Sequence, residues 1–256
     1  MRRARVIPVL LLSQRGLVKT RAFRSPQYLG DPINSVKIFN SKMADELILI
    51  DIEATALGRI AFDWIADIVS EAFMPVAYGG GLTNIDQCAQ VFALGVEKVV
   101  INSAAVERPD LIGEIACRFG SQAVVVSIDA RKDFLGRWKA YVRSGKRRTR
   151  FSPAELALSC ERLGAGEIFL TSIERENSFL GYDIDLIAAV AREVRIPVVA
   201  HGGAGKVEHF APAIIEGGAN AVAAGSMFVF SAKDEGVLIN YPTQDELKTK
   251  LWGFTP

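Results

Sequence analysis

PVAYGGGLTN (Pro75–Asn84) returns later in the chain as PVVAHGGAGK (Pro197–Lys206), and GVEKVVINSAA (Gly95–Ala105) returns as GANAVAAGSMF (Gly218–Phe228). In each case a short apolar run ends in a glycine cluster or a polar strand end, and the offset is close to half the chain. Two chance glycine clusters do not explain why the turn and the next strand end return in step. A two-fold repeat of a four-strand unit does, dividing one domain of residues 1–256 into halves of 1 to about 120 and 121 to about 245.

Outward from this repeat, eight short apolar runs read as strands: Arg5–Leu12, Glu46–Ile52, Pro75–Tyr78, Lys98–Asn102, Gln122–Asp129, Glu167–Ser172, Pro197–His201 and Ala221–Gly225. Most are followed by stretches of helical period, such as FDWIADIVSEAF, IDQCAQVFALG and DLIAAVAREV. Nearly continuous apolar strands alternating with helices imply a parallel sheet covered on its outer face. Eight such units in a chain of 256 residues predict an α/β fold of the (β/α)8 TIM-barrel class.

Lys and Arg total 30 against 29 Asp and Glu, so no global field favours nucleic acid or an acidic membrane. The basic run Lys146–Arg150 follows Ser144-Gly145 and is read as the solvated rim of a hairpin. Cys88, Cys117 and Cys160 lie far apart in helical segments, which suits buried, reduced thiols. MRRARVIPVLLL has arginines before an apolar run, like a signal peptide. No small-residue cleavage site follows and the run is too short to span a membrane, so it is read as the first strand of a cytoplasmic protein. His201 and His209 have no carboxylate at ligand spacing, and neither a metal nor a cofactor is expected.

In such barrels chemistry sits where strands end. Gly79, Gly80 and Gly81, then Asn102 and Ser103, form one set; Gly202, Gly203 and Gly205, then Gly225 and Ser226, form the other. Glycines admit close backbone approach and N–H groups bind phosphate oxygens, so two sets imply a ligand with a phosphate at each end; simple turn geometry is the alternative. Asp129 ends the fifth strand, where burial makes a carboxyl group a candidate acid or base. Superposing the halves puts Leu11 at its counterpart, and a leucine moves no proton. Lys19, Asp51, Thr171, Glu174 and Glu176 are further polar groups on strand-end loops, with loop capping as the other reading for Asp51 and Thr171. His201 adjoins the second glycine set as an anion contact or acid, and His209 is placed on a helix surface. At the opposite end, Arg5, Glu46, Lys98 and Glu167 begin four strands. They form either a ring closing the barrel bottom or separate solvated charges, the second being slightly favoured by the residues alone.

The stretches FGSQAVVVSIDA (Phe119–Ala130), GAGEIFLTSIER (Gly164–Arg175), HGGAGKVEHF (His201–Phe210) and VVINSAAVE (Val99–Glu107) are similar to the cyclase (HisF) subunit family of imidazole glycerol phosphate synthase, and the resemblance runs over essentially the whole chain. It implies a TIM barrel partnered as a heterodimer by a glutaminase subunit. The implied substrate is a bis-phosphorylated ribosyl aminoimidazole carboxamide, converted with ammonia to imidazole glycerol phosphate and an aminoimidazole ribotide. By resemblance, Asp129 is a catalytic aspartate, and Gly80, Gly81, Asn102, Ser103, Gly202, Gly203, Gly225 and Ser226 hold the phosphates. Arg5, Glu46, Lys98 and Glu167 then form a gate for ammonia, which reverses the preference for solvated charges. Lys19 falls on a mobile loop and Glu97 on a contact to the glutaminase.

The chain departs from that family where chemistry is demanding. The family's second aspartate lies in a pattern like CLDVKDGRVVKG; here VLLLSQRGLVKT (Val9–Thr20) puts Leu11 in its place. A family Asp-Gly pair becomes Glu176-Asn177, and a small polar residue becomes His201. Losing a proton-transfer group typically costs about 10²- to 10⁴-fold in rate. An intact gate without the acid pair resembles divergent members of lipopolysaccharide pathways, whose barrel and glutaminase supply ammonia to a sugar amidotransferase. The expected role is therefore an ammonia-conducting barrel, with a histidine-pathway cyclase as the alternative and an unrelated phosphosugar isomerase barrel as a third reading.

Overall fold

The computed structural model describes residues 3–231 and 236–253. Residues 1–2 and 254–256, the ends of the expected domain, lie outside the described residues, as does the segment 232–235. Twelve strands follow in order among the described residues: β1 (Arg5–Ser13), β2 (Gly16–Arg21), β3 (Arg24–Gly30), β4 (Leu47–Asp51), β5 (Val76–Gly79), β6 (Lys98–Ile101), β7 (Val124–Lys132), β8 (Trp138–Val142), β9 (Arg147–Arg148), β10 (Glu167–Ser172), β11 (Val198–His201) and β12 (Ala221–Ala224). The eight predicted runs are β1, β4, β5, β6, β7, β10, β11 and β12.

These eight pair in parallel in the order β1-β4-β5-β6-β7-β10-β11-β12, and β12 pairs with β1, so the sheet closes into a (β/α)8 barrel. Closure leaves none of these eight strands as an unpaired edge. Helices cover the outside, and their starts are written in the sequence. Asn84 accepts from the Gln87 N–H at the start of Ile85–Ala93, Ser152 and Glu155 form a capping box before Pro153–Arg162, and Asp183 accepts from the Leu186 N–H before Ile184–Ala191. Each such cap satisfies an N–H that has no partner within its helix.

Both faces of the barrel strands are buried, which is why they read as continuous apolar runs. Side chains alternate, so Val6, Leu10 and Leu12 of β1 pack outward against the helices while Ile7, Val9 and Leu11 enter the lumen. Ile48, Ala77, Val100, Val125, Phe169, Val199, Ala221 and Ala223 meet them there. The same period of two puts Arg5, Glu46, Lys98 and Glu167 below these layers, and Asn102, Asp129, Thr171, His201 and Gly225 above them.

One hairpin was not anticipated: β2–β3, which follows β1. The β8–β9 hairpin after β7, at the equivalent place in the other half, is the one read from Ser144-Gly145. Lys19, in the segment that follows β1, therefore lies on strand β2 and is buried. The apolar Leu17 and Val18 beside it fold that strand back over the barrel. Cys117 also differs from expectation: it is exposed on the helix Asp110–Phe119, whereas Cys88 and Cys160 are buried, their thiols pushed up to about 12 by burial. The basic run does lie at a hairpin, where Arg147 and Arg143 both bind Glu107. No helix among the described residues is long and apolar enough to cross a membrane.

Candidate active site and the two ends of the barrel

At the N-terminal end of the strands, Arg5 binds both Glu46 and Glu167, while Lys98 Nζ lies 2.7 Å from Glu46 and 3.0 Å from Glu167. Two cations and two carboxylates thus alternate in a closed ring of ion pairs. Glu46 and Glu167 are 3% and 6% exposed, so the preference for separate solvated charges does not hold. Burial alone would lower the Arg5 pKa, but its two carboxylate partners outweigh that and hold it above the ordinary arginine value. Glu97, beside Lys98, is exposed on the same end. So are Met43 and Phe73, which precede β4 and β5; Asn40 ties their two segments together, bonding the Glu71 carbonyl and the Phe73 N–H.

At the C-terminal end, Asp129 is buried under the β7–β8 hairpin. Its carboxyl accepts from Asn102 Nδ2 at 3.3 Å and from Ser127 Oγ at 3.4 Å. Burial pushes its pKa up to about 7, against which the Ser127 hydroxyl is a minor pull. A carboxyl group poised near neutrality can give or take a proton at physiological pH. Ser127 was not singled out from the sequence, yet it lies two residues before Asp129 and so on the same strand face; period-two reading was the signal. Leu11, at the matching level of β1, is buried among lumen residues.

Asn102 and Ser103 are brought together with Asp129, but through internal bonds: Asn102 Nδ2 also reaches the Ser127 and Tyr141 carbonyls, and Ser103 Oγ accepts from the Arg143 N–H. Gly80 and Gly81 stand on the neighbouring strand end, where the Gly81 N–H donates to Thr55 Oγ1 at 3.3 Å. Asp51 caps its own loop, accepting from the Glu53 and Ala54 N–H groups at 3.0 Å each. Burial nevertheless raises its pKa, the two backbone bonds opposing. Glu174 is exposed and accepts from the Lys132 N–H.

On the other side of the mouth, Lys19, Glu176, His201, Gly203, Gly225 and Ser226 line one small pocket. Gly203 has a φ of 108° and packs so closely that a β-carbon there would lie 2.1 Å from the Gly181 carbonyl oxygen. Lys19 rests against Gly225, where a β-carbon would lie 2.6 Å from its Nζ and would push the ammonium aside. Lys19 Nζ is 2.8 Å from Glu176 Oε1, with both side chains at 3% exposure or less. Thr171 Oγ1 is 3.1 Å from His201 Nδ1, and the imidazole stacks on Phe169 with ring centres 4.9 Å apart. Burial first, then the Lys19 ammonium, push the His201 pKa down to about 3. His201 is thus a neutral imidazole, able to donate or accept at one nitrogen but not a standing cation for an anion. His209, half-buried at the end of a short 3₁₀ turn, accepts from the Gly205 N–H.

The family model described as "Histidine biosynthesis protein" matches residues 5–234. Three relatives are similar over nearly their whole length. "Putative imidazole glycerol phosphate synthase subunit hisF2" of Pseudomonas aeruginosa is 48% identical, covering 96% of this chain and 98% of the relative. "Putative imidazole glycerol phosphate synthase subunit HisF" of Leptospira borgpetersenii is 43% identical, covering 94% and 96%. "Putative imidazole glycerol phosphate synthase subunit hisF3" of Vibrio vulnificus is 42% identical, covering 98% and 97%. A closed barrel with paired strand-end sites and a match along almost all of the chain lead to one conclusion: this protein belongs to the histidine biosynthesis protein family, as a HisF-like barrel.

Proposed function

We propose that this chain is the barrel subunit of a glutamine-dependent amidotransferase, which receives ammonia from a glutaminase at its N-terminal end and passes it along the lumen to an acceptor at the mouth. The observation that carries this reading is the closed ring of Arg5, Glu46, Lys98 and Glu167 beneath an apolar lumen. Crossing such a lumen as ammonium would require stripping water from an unpaired charge, so ammonia crosses neutral. The partner's docking face is then the end bearing Glu97, Met43 and Phe73, which offers exposed apolar surface beside a carboxylate.

For the acceptor, Leu11 is the deciding residue. With Leu11 where a second carboxyl group would face Asp129, the barrel has half of an acid–base pair, which supports ammonia delivery to a separate sugar amidotransferase, as in lipopolysaccharide synthesis. The second reading, cyclisation of the bis-phosphorylated ribosyl aminoimidazole carboxamide, is favoured by the names of the relatives and by a carboxyl group poised near pH 7.

Supplying the purified chain with that carboxamide and saturating ammonium salt separates the two, because free ammonia removes the need for a glutaminase. Absence of imidazole glycerol phosphate, with glutaminase binding intact, is the expected result. Turnover that disappears in Asp129→Asn would instead make the chain a cyclase that works with one aspartate.

A further inference from the structure

The pocket beside β11 and β12 has the parts of an anion site, yet its charge is already balanced. Lys19 reaches in from β2, and its ammonium rests against Gly225. Glu176, from the segment after β10, meets it at 2.8 Å. The same carboxylate accepts from Thr20 Oγ1 at 3.2 Å and from the Phe23 N–H at 3.3 Å, so it also holds the β2–β3 hairpin down. From β11 the pocket is faced by the neutral imidazole of His201. At the end of β12, Ser226 Oγ is buried, 5% exposed, and has no hydrogen-bond partner. A buried hydroxyl without a partner is costly, and a ligand oxygen bound there would relieve that cost.

We propose that Glu176 is the specificity-determining residue of this pocket: its carboxylate competes for Lys19, and a phosphate group enters only by taking Lys19 from it. The reasoning is one of charge. A phosphate placed against Lys19 and Ser226 while Glu176 stays would set two anions against one ammonium in a site closed to water, where like charges repel strongly. A phosphate that displaces Glu176 gains the ammonium and the unpartnered hydroxyl, but it gives up the bonds from Thr20 and Phe23. Weak or singly charged anions lack the charge to make that exchange, so the pocket selects for dianionic groups. The neutral state of His201 fits this arrangement, since a cation there would remove the competition.

The inference rests on the reading of the mouth as an anion-binding face, and its test is independent of ammonia transfer. The chain has two histidines, His201 inside the pocket and His209 outside it, so imidazole resonances report occupancy with an internal control. Inorganic phosphate is titrated into the wild type, Glu176→Gln and the double variant Lys19→Met/Glu176→Gln, with glutaminase and sugar absent. The expected result is a His201 shift in Glu176→Gln that saturates at a phosphate concentration about tenfold or more below that of the wild type, as removal of a competing charge-assisted contact implies. His209 stays unmoved, and the double variant, which buries no charge, loses the response. Should Glu176→Gln fold poorly with Lys19 uncompensated, phosphate raises its melting temperature and leaves that of the double variant unchanged. Equal saturation in wild type and Glu176→Gln, or no response of either shift or melting temperature in Glu176→Gln, overturns the proposal and leaves the ammonia-receiving role standing.

Discussion

Leu11 of β1 lies directly opposite Val18 of β2 in their antiparallel pairing, and both are buried in the lumen cluster. The mouth is therefore apolar on one side, at the level where β7 carries Asp129 on the other. Leu11→Asp places a carboxyl group without a partner in that apolar contact. It is expected to lower stability by about 3 kcal/mol at pH 8, and by less at pH 5 where the group stays protonated. Urea denaturation at the two pH values measures this. An equal cost at both would show that the new carboxylate reaches water.

Asp129 links the site to the pH dependence of folding. Its pKa rises from 3.8 to about 7 on folding, so the folded state favours the protonated form. The associated stability is complete below pH 4 and is lost as pH rises to 7, amounting to an order of 4 kcal/mol at about 1.36 kcal/mol per unit. Asp129→Asn keeps a neutral side chain of the same shape. It is expected to be more stable than the wild type at pH 8 and about equal at pH 4, as read from denaturant midpoints.

His201 works in the opposite direction. Its pKa falls from 6.5 to about 3, so the unfolded chain binds the extra proton and stability is present above pH 6.5 and lost as pH falls towards 3. The two slopes oppose each other between pH 4 and 6.5. His201→Gln is expected to uncover the falling slope of Asp129, and Asp129→Asn the rising slope of His201, while the wild type stays nearly flat. Nuclear magnetic resonance of the His201 imidazole checks the cause directly, since it must remain neutral at pH 5.

Glu46 holds both cations of the bottom ring. Glu46→Ala leaves Arg5 and Lys98 sharing Glu167, and because both cations are partly exposed the cost is about 2 kcal/mol, below that of a fully buried pair. In a reconstituted complex with the glutaminase, glutamine-dependent transfer is expected to change while transfer from added ammonium salt is kept. The same holds for Lys98→Ala. Unchanged glutamine-dependent transfer in both would remove the gating role from the ring.

The repeat Pro75–Asn84 and Pro197–Lys206, with eight apolar runs between turns, was enough to specify a closed parallel barrel, because the period of strands and helices is a local property of the chain. Superposing the two halves also set Leu11 as the counterpart of Asp129 from the sequence. The strand that carries Lys19, and its burial, were not foreseen, for the complementary reason. Nothing local in GLVKTR says that Leu17 and Val18 turn back onto the barrel, and the bare Gly225 that admits the lysine lies far along the chain. The bottom ring was ambiguous in the same way, since a charge at a strand start is solvated in one closure and buried in another. Sequence by itself determined the fold class, the strand ends and the missing acid at Leu11. Tertiary structure alone decided which charges meet, Lys19 with Glu176 and Arg5 with Glu46 and Glu167, and how far burial moves Asp129 and His201, because desolvation and pairing depend on what distant segments bring to the same few ångströms.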